Sequence, residues 1–261
     1  MSETIIDIKD VNIGYSSHLV VSELNVKIPR GEITTIIGPN GCGKSTVLQT
    51  IARVLKPEKG AIYLNEEIIH EMKSKAVAKK LAILPQTATG PEGLTIRELV
   101  TYGRYPHQNK FKGLSSVDHD AINWALEVTQ LKEIEHRQLE TLSGGQRQRV
   151  WIAMALAQDT EIVILDEPTT YLDLAHQLDI LKLLEKLNHE QKKTIIMVLH
   201  DLNHASRFSN YLIGIKEGKM LVQGSPKEVM TAPNLASIFD IQAIIADCPF
   251  SGNPICLSYD R

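Results

Sequence analysis

Residues 33–46 read Ile33-Thr34-Thr35-Ile36-Ile37-Gly38-Pro39-Asn40-Gly41-Cys42-Gly43-Lys44-Ser45-Thr46. A β-branched run gives way to glycines and then to a helical pattern over Ser45–Leu55. That order of strand, glycine turn and helix is the context in which the phosphate-loop pattern G-x-x-x-x-G-K-[ST] has a mechanism. The glycines let successive backbone N–H groups curl toward one anion, and the helix start adds partial positive charge. Lys44 is long enough to reach the β- and γ-phosphates of a nucleotide, and Ser45 offers a hydroxyl to Mg²⁺.

The second half of such a site is Ile162-Val163-Ile164-Leu165-Asp166-Glu167, four apolar residues ending in two carboxylates. In doubly wound folds ligands bind beyond the carboxyl ends of the strands. Asp166 is placed to serve the metal shell. Glu167 is placed to polarise the attacking water, the part that phosphoryl transfer leaves to protein.

Between the two halves lies Leu142-Ser143-Gly144-Gly145-Gln146, set before a strong helical pattern that runs to about Gln158. It offers another backbone anion site at a helix start. Phosphate loop, this pentapeptide and Asp-Glu strand, in that order, resemble the ATP-binding cassette ATPases over essentially the whole chain. The resemblance implies an α/β fold: a P-loop NTPase core with an antiparallel β subdomain and an inserted α-helical subdomain. One nucleotide-binding domain would span 1–261, with the helical insert at about 87–158 and a tail at about 226–261. ATP and Mg²⁺ are the implied cofactors.

The resemblance also assigns roles. Gly38, Pro39, Asn40, Gly41, Cys42, Gly43, Lys44, Ser45 and Thr46 would hold the triphosphate, and Tyr15 would stack on adenine. Gln86, after Ile83-Leu84-Pro85, would link γ-phosphate and metal to the helical insert, so that Ser45, Gln86 and Asp166 form the metal set. Glu167, Gln86 and His200 would be the catalytic group, His200 contacting the γ-phosphate. Ser143, Gly144, Gly145 and Gln146 would cap the nucleotide held by a second copy, and Asp173 would cross the same boundary. The implied assembly is a head-to-tail homodimer with two ATP molecules in its interface. Thr170-Tyr171 stands where the family often has small residues before Leu-Asp.

Tyr102-Gly103-Arg104-Tyr105-Pro106-His107-Gln108 resembles a segment of importer ATPases for iron–siderophore complexes, haem and cobalamin. Ser143–Gln158 most resembles the ferric-hydroxamate (ferrichrome-type) members. Partners would be a polytopic permease and, indirectly, a substrate-binding protein, with the chain on the cytoplasmic face of a bacterial membrane. A haem or cobalamin importer, and a cassette ATPase acting on nucleic acid or ribosomes, are the alternative readings.

The remaining sequence is consistent with this. Of 261 residues 43% are hydrophobic and 23% charged, the composition of a globular protein with a sizeable core. A net charge of −3 argues against a basic nucleic-acid surface. The opening residues carry no basic head with an apolar run, and the apolar stretches are strand-sized, well below the roughly 20 residues that cross a bilayer. Cys42, Cys248 and Cys256 read as free thiols, with a Cys248–Cys256 bridge or a metal site as the alternatives.

Ile5–Ile8, Val11–Ile13 and Leu24–Ile28 read as strands of an opening antiparallel sheet, and Ala61–Leu64 and Leu81–Leu84 as further short strands. Thr95 with Glu98 and Ser115 with Asp118 have capping-box spacing. Val117, Ala121, Trp124, Ala125 and Val128 would share one helical face, and Leu174, Leu178, Leu181 and Leu184 another. Thr194–Leu199 reads as a buried strand, and Tyr211–Lys216 with Met220–Gln223 as a hairpin about Glu217-Gly218. In the tail, two short helices around Val229, Leu235, Ile238 and Phe239 precede a possible strand pair in Cys248–Leu257. Packing on the core and strengthening of the dimer both stay open as its role.

Overall fold

The computed structural model describes residues 3–15, 18–86, 90–108, 113–170 and 172–261. The chain opens with β1 (Thr4–Tyr15), β2 (His18–Pro29), β3 (Ile33–Ile37), α1 (Lys44–Ile51), β4 (Lys59–Leu64) and β5 (Glu67–Ile68). Then come α2 (Ser74–Ala78), β6 (Leu81–Leu84), α3 (Ile96–Tyr102), α4 (Ser116–Val128), α5 (Gly144–Ala157), β7 (Ile162–Asp166) and α6 (Leu174–Gln191). It closes with β8 (Thr194–Val198), α7 (Leu202–Phe208), β9 (Tyr211–Lys216), β10 (Lys219–Gly224), α8 (Pro226–Val229), α9 (Ala232–Phe239), β11 (Gln242–Asp247) and β12 (Pro254–Asp260). Two compact units result: the described residues of Met1–Met72 with Asn188–Arg261, and those of Lys73–Leu187.

In the first unit β3 lies between β8 and β9, parallel to both, and β10 runs antiparallel to β9. β3 and β8 are buried at every position, which is why their sequences are continuous apolar or threonine runs rather than alternating ones. Thr35 is accommodated by a 2.6 Å hydrogen bond between its Oγ1 and Ser209 Oγ. A separate antiparallel sheet has the order β2-β1-β4-β5.

β1 is a single strand where the apolar pattern suggests two. Asp10 takes φ 49°, the register against β2 shifts between Ile8 and Val11, and Asn25 Oδ1 accepts the displaced Asp10 N–H at 3.0 Å. The polar pair Lys9-Asp10 therefore marks a bulge within one strand. α1 ends at Ile51 rather than near Leu55, because Arg53 turns to φ 62°. Glu217 (φ 50°) and Gly218 (φ 73°) form the expected two-residue turn, with Lys216 opposite Lys219.

The C-terminal hairpin pairs β11 with β12, so its first strand begins before the Cys248–Leu257 segment named from the sequence. It is fastened to α7. Asn203 Nδ2 donates to Cys256 O (3.1 Å) and Asn203 Oδ1 accepts from Cys256 N (2.8 Å). Ser206 Oγ donates to Pro254 O, and Asn253 Nδ2 to Ser206 O. The three cysteines are free thiols.

In the second unit β6 and β7 pair in parallel, Leu81 opposite Ile162 through Leu84 opposite Leu165. α3, α4 and α5 pack on one another. Thr95, Ser115 and Ser143 each close a capping box at the start of α3, α4 and α5. The buried face of α4 is Asp118, Ile122, Ala125 and Leu126, whereas Val117 is exposed and Ala121, Trp124 and Val128 are half-buried. A buried aspartate rotates the face away from the apolar stripe, because Asp118 accepts from Arg104 Nε at 2.8 Å. α6 likewise buries Ile180, Leu181, Leu184 and Leu187 and leaves Leu174 exposed. Among the described residues no helix is long and apolar enough to cross a membrane.

Candidate functional site

The phosphate loop leaves β3 at Gly38. A Cβ there would lie 2.1 Å from Ile215 O, so the chain passes too close to β9 for any side chain. Gly43 takes φ 102° and caps α1 without a side chain. The first turn of α1 carries no acidic residue, so no carboxylate opposes an anion there. The loop is braced from behind, where Gly218 N donates to Cys42 O (3.1 Å) and Gly218 O accepts from Ser22 N (3.0 Å). Lys44 is buried and its Nζ donates to Gly38 O and Pro39 O, each at 2.9 Å. A buried ammonium folded across a cradle of backbone donors suits a polyanion such as triphosphate.

Cys42 is buried within this loop, and burial pushes its thiol up while the neighbouring Lys44 pulls it partway back. Alkylation by a bulky maleimide is expected to be slow, to accelerate with rising pH, and to be slowed further by ATP, as read by peptide mass mapping. Equal Cys42 labelling with and without ATP would contradict the placement.

Two further candidates lie in the same unit. Tyr15, 48% exposed at the end of β1, presents an aromatic face at the surface. His200 is exposed just beyond β8, and the next residue, Asp201, caps α7 through its carboxylate.

In the second unit, buried β7 delivers Asp166, 4% exposed, and then Glu167. Glu167 takes φ 52°, turning the chain out of β7 through the left-handed region. Its Oε2 accepts from Gln86 Nε2 at 2.6 Å and from Thr170 Oγ1 at 3.1 Å. Two residues named separately from the sequence thus meet. Thr170 was not named for this role; only its place three residues after Glu167, across Pro168, hints at it.

Ser143 Oγ accepts from Gln146 N at 3.3 Å, and Gln146 Oε1 accepts from Ser143 N at 3.2 Å. The start of α5 is exposed, has no acidic residue in its first turn, and leaves open space at Gly144. Asp173 Oδ1 accepts from the backbone N–H and from ring Nδ1 of His176. The backbone bond first, then the ring bond, hold its carboxyl below the usual range. Tyr171 lies outside the described residues.

The Tyr102–Gln108 segment is anchored from inside. Arg104 is 2% exposed and donates through Nε to Asp118 and through Nη1 to Ala157 O (2.7 Å). His107 Nε2 lies 2.8 Å from Gln158 O. A Cβ on Gly103 would lie 2.2 Å from Met154 O, so glycine permits this turn to close on α5. Tyr102 and Tyr105 face outward, 53% and 79% exposed.

Residues 21–170, which carry the phosphate loop, the Ser143–Gln146 turn and the Asp166-Glu167 strand, match the ABC transporter family model. This chain belongs to the ABC transporter family.

Among ABC transporter relatives, the iron(3+)-hydroxamate import ATP-binding protein FhuC of Bacillus subtilis (strain 168) is 56% identical over 252 residues, covering 97% of this chain and 94% of that protein. The ferric enterobactin transport ATP-binding protein FepC of Escherichia coli (strain K12) is 46% identical, over 97% of this chain and 93% of that one. An inward-facing metal-chelate type ABC transporter structure superposes with TM-score 0.83 at 27% identity, covering 98% of both chains. The dimeric post-hydrolysis ATP-binding cassette MJ0796, bound to ADP and Pi, superposes with TM-score 0.75 at 31% identity, over 84% of this chain and 98% of that one.

Proposed function

We propose that this chain is the ATP-hydrolysing subunit of an ABC importer and works as a homodimer under a membrane permease to drive uptake of iron–siderophore, specifically ferric hydroxamate. The observation that carries the hydrolytic part is the Glu167 carboxylate fixed by Gln86 and Thr170 at the end of β7. The cargo follows the printed role of the 56%-identical relative.

In this reading Gly38–Thr46 holds the triphosphate, with Lys44 leaving its loop carbonyls for the phosphate oxygens, and Tyr15 stacks on adenine. Among the described residues no three His, Cys, Asp or Glu side chains gather to hold a metal alone. Mg²⁺ usually takes few protein ligands and shares substrate phosphates, and a hydroxyl, an amide oxygen and a carboxylate suit it. On the family resemblance, Ser45, Gln86 and Asp166 would supply that donor set. Gln86 gives its amide nitrogen to Glu167, which turns its acceptor oxygen to the opposite end of the amide. When bound, Mg²⁺ neutralises charge on the phosphate oxygens.

Glu167 orients the attacking water and accepts its proton. The water oxygen bonds to the γ-phosphorus as the bond to the β–γ bridging oxygen breaks, and His200 contacts the γ-phosphate. Ser143–Gln146 of the second copy caps the same nucleotide, and Asp173 crosses the boundary. The second copy's contacts to the nucleotide exist only in the closed pair, so loss of the γ-phosphate on hydrolysis releases it. Within the insert at about 87–158, the outward Tyr102 and Tyr105 form the surface offered to the permease at the cytoplasmic face. The tail from about 226 packs on the body of the same subunit.

The test is uptake by cells lacking this gene. The wild-type chain is expected to restore accumulation of ferric hydroxamate iron and to copurify with a polytopic membrane partner, while Lys44→Ala restores none. Restoration of haem or cobalamin uptake instead would overturn the cargo assignment.

A further inference from the structure

We infer that His176 is a positioning residue for ATP turnover, one that ties the Ser143–Gln146 turn to Asp173 within each subunit. The inference rests on the dimer reading above. His176 lies in the first turn of α6, and its N–H and ring Nδ1 both donate to Asp173 Oδ1, at 2.9 and 2.8 Å. A carboxylate only accepts, so Nδ1 carries the proton. The same ring lies against Gly145 in the first turn of α5. A Cβ on Gly145 would meet His176 Cδ2 at 2.9 Å, Cγ at 3.3 Å and Nε2 at 3.5 Å. One imidazole therefore fills the space between two loops that the proposed dimer uses at its boundary, and Gly145 is glycine where the ring needs room.

The bland alternative is a helix cap. Asp173 needs only the backbone N–H of His176 to cap α6, and the ring adds a second bond between partly exposed groups, whose side chains are 45% and 66% exposed. Such exposed pairs contribute little to stability. The ring contact at Gly145, by contrast, sets the spacing between the start of α5 and the start of α6. That spacing matters only when both loops must meet a facing subunit together.

The experiment uses the full-length chain. His176→Ala is expected to keep its thermal midpoint within about 2 °C of wild type. Its KM for ATP should stay within about twofold, and kcat should fall about tenfold, the loss of an interaction needed only in the closed state. In a Glu167→Gln background, His176→Ala should need about tenfold more protein to dimerise in saturating ATP. His176→Asn places an amide N–H where Nδ1 stood and should recover most of kcat. Wild-type kcat in His176→Ala would overturn the inference, as would a joint fall of kcat and thermal midpoint that Asn fails to rescue. If Glu167→Gln with His176 intact stayed monomeric in saturating ATP, the dimer reading itself would fall, a result distinct from either.

Discussion

Glu167→Gln is expected to cut ATP turnover by about two to three orders of magnitude while ATP binding persists, the scale set by loss of a positioned general base. Glutamine keeps the shape and an acceptor oxygen for Gln86 and Thr170, which hold Glu167 Oε2 at 2.6 and 3.1 Å, but it cannot take a proton from water. With hydrolysis blocked, the γ-phosphate contacts last, so the variant should accumulate as an ATP-bound dimer. Phosphate release and light scattering in saturating ATP measure the two effects. A monomeric Glu167→Gln protein under those conditions would contradict the switch. Lys44→Ala should differ by losing ATP binding as well, because the cradle then lacks its buried cation.

The second large effect falls on stability. Arg104 and Asp118 form an ion pair with side-chain exposures of 3% and 7%, and Arg104 also closes the end of α5 through Ala157 O. Arg104→Ala strands a buried carboxylate, and removal of one partner from such a pair typically costs about 3–5 kcal/mol. In a domain of this size that is a fall in Tm of about 10 °C. Lysine should rescue poorly, since it cannot span both acceptors with a planar fork.

Acid should act on the same site. Burial pushes the Asp118 carboxyl up, but the Ser115 hydroxyl and N–H, together with Arg104, overcome it and hold it at about 2. A carboxylate depressed in the folded state gives its full stabilisation above about pH 4 and loses it as pH falls toward 2, a share of about 2 kcal/mol. Calorimetry across that range should show the wild type losing this share and Asp118→Asn lacking the dependence.

The sequence was most legible where chemistry is local. The buried strands β3, β7 and β8 read as unbroken apolar or threonine runs, and the capping boxes at Thr95 and Ser115 follow from spacing alone. The glycine loop, the Ser143 turn and the Asp166-Glu167 ending were visible as short patterns for the same reason. What escaped depends on distant partners. The bulge at Asp10 split one strand in the reading because Asn25, on β2, absorbs it. α4 was rotated because the partner that buries Asp118 is Arg104, on another segment. The meeting of Gln86 with Glu167 joins residues far apart in the chain, and no periodicity predicts it. Nor does any local pattern bring the His176 ring to Gly145, which lies on another helix.

The hairpin stitched to α7 gives the last part of the chain a mechanical meaning. α7 starts two residues beyond His200 and is pinned by four bonds to residues 253–256. Two of those bonds fall on Asn203, three residues past the histidine, so the turn that carries His200 is riveted to the last strand of the chain.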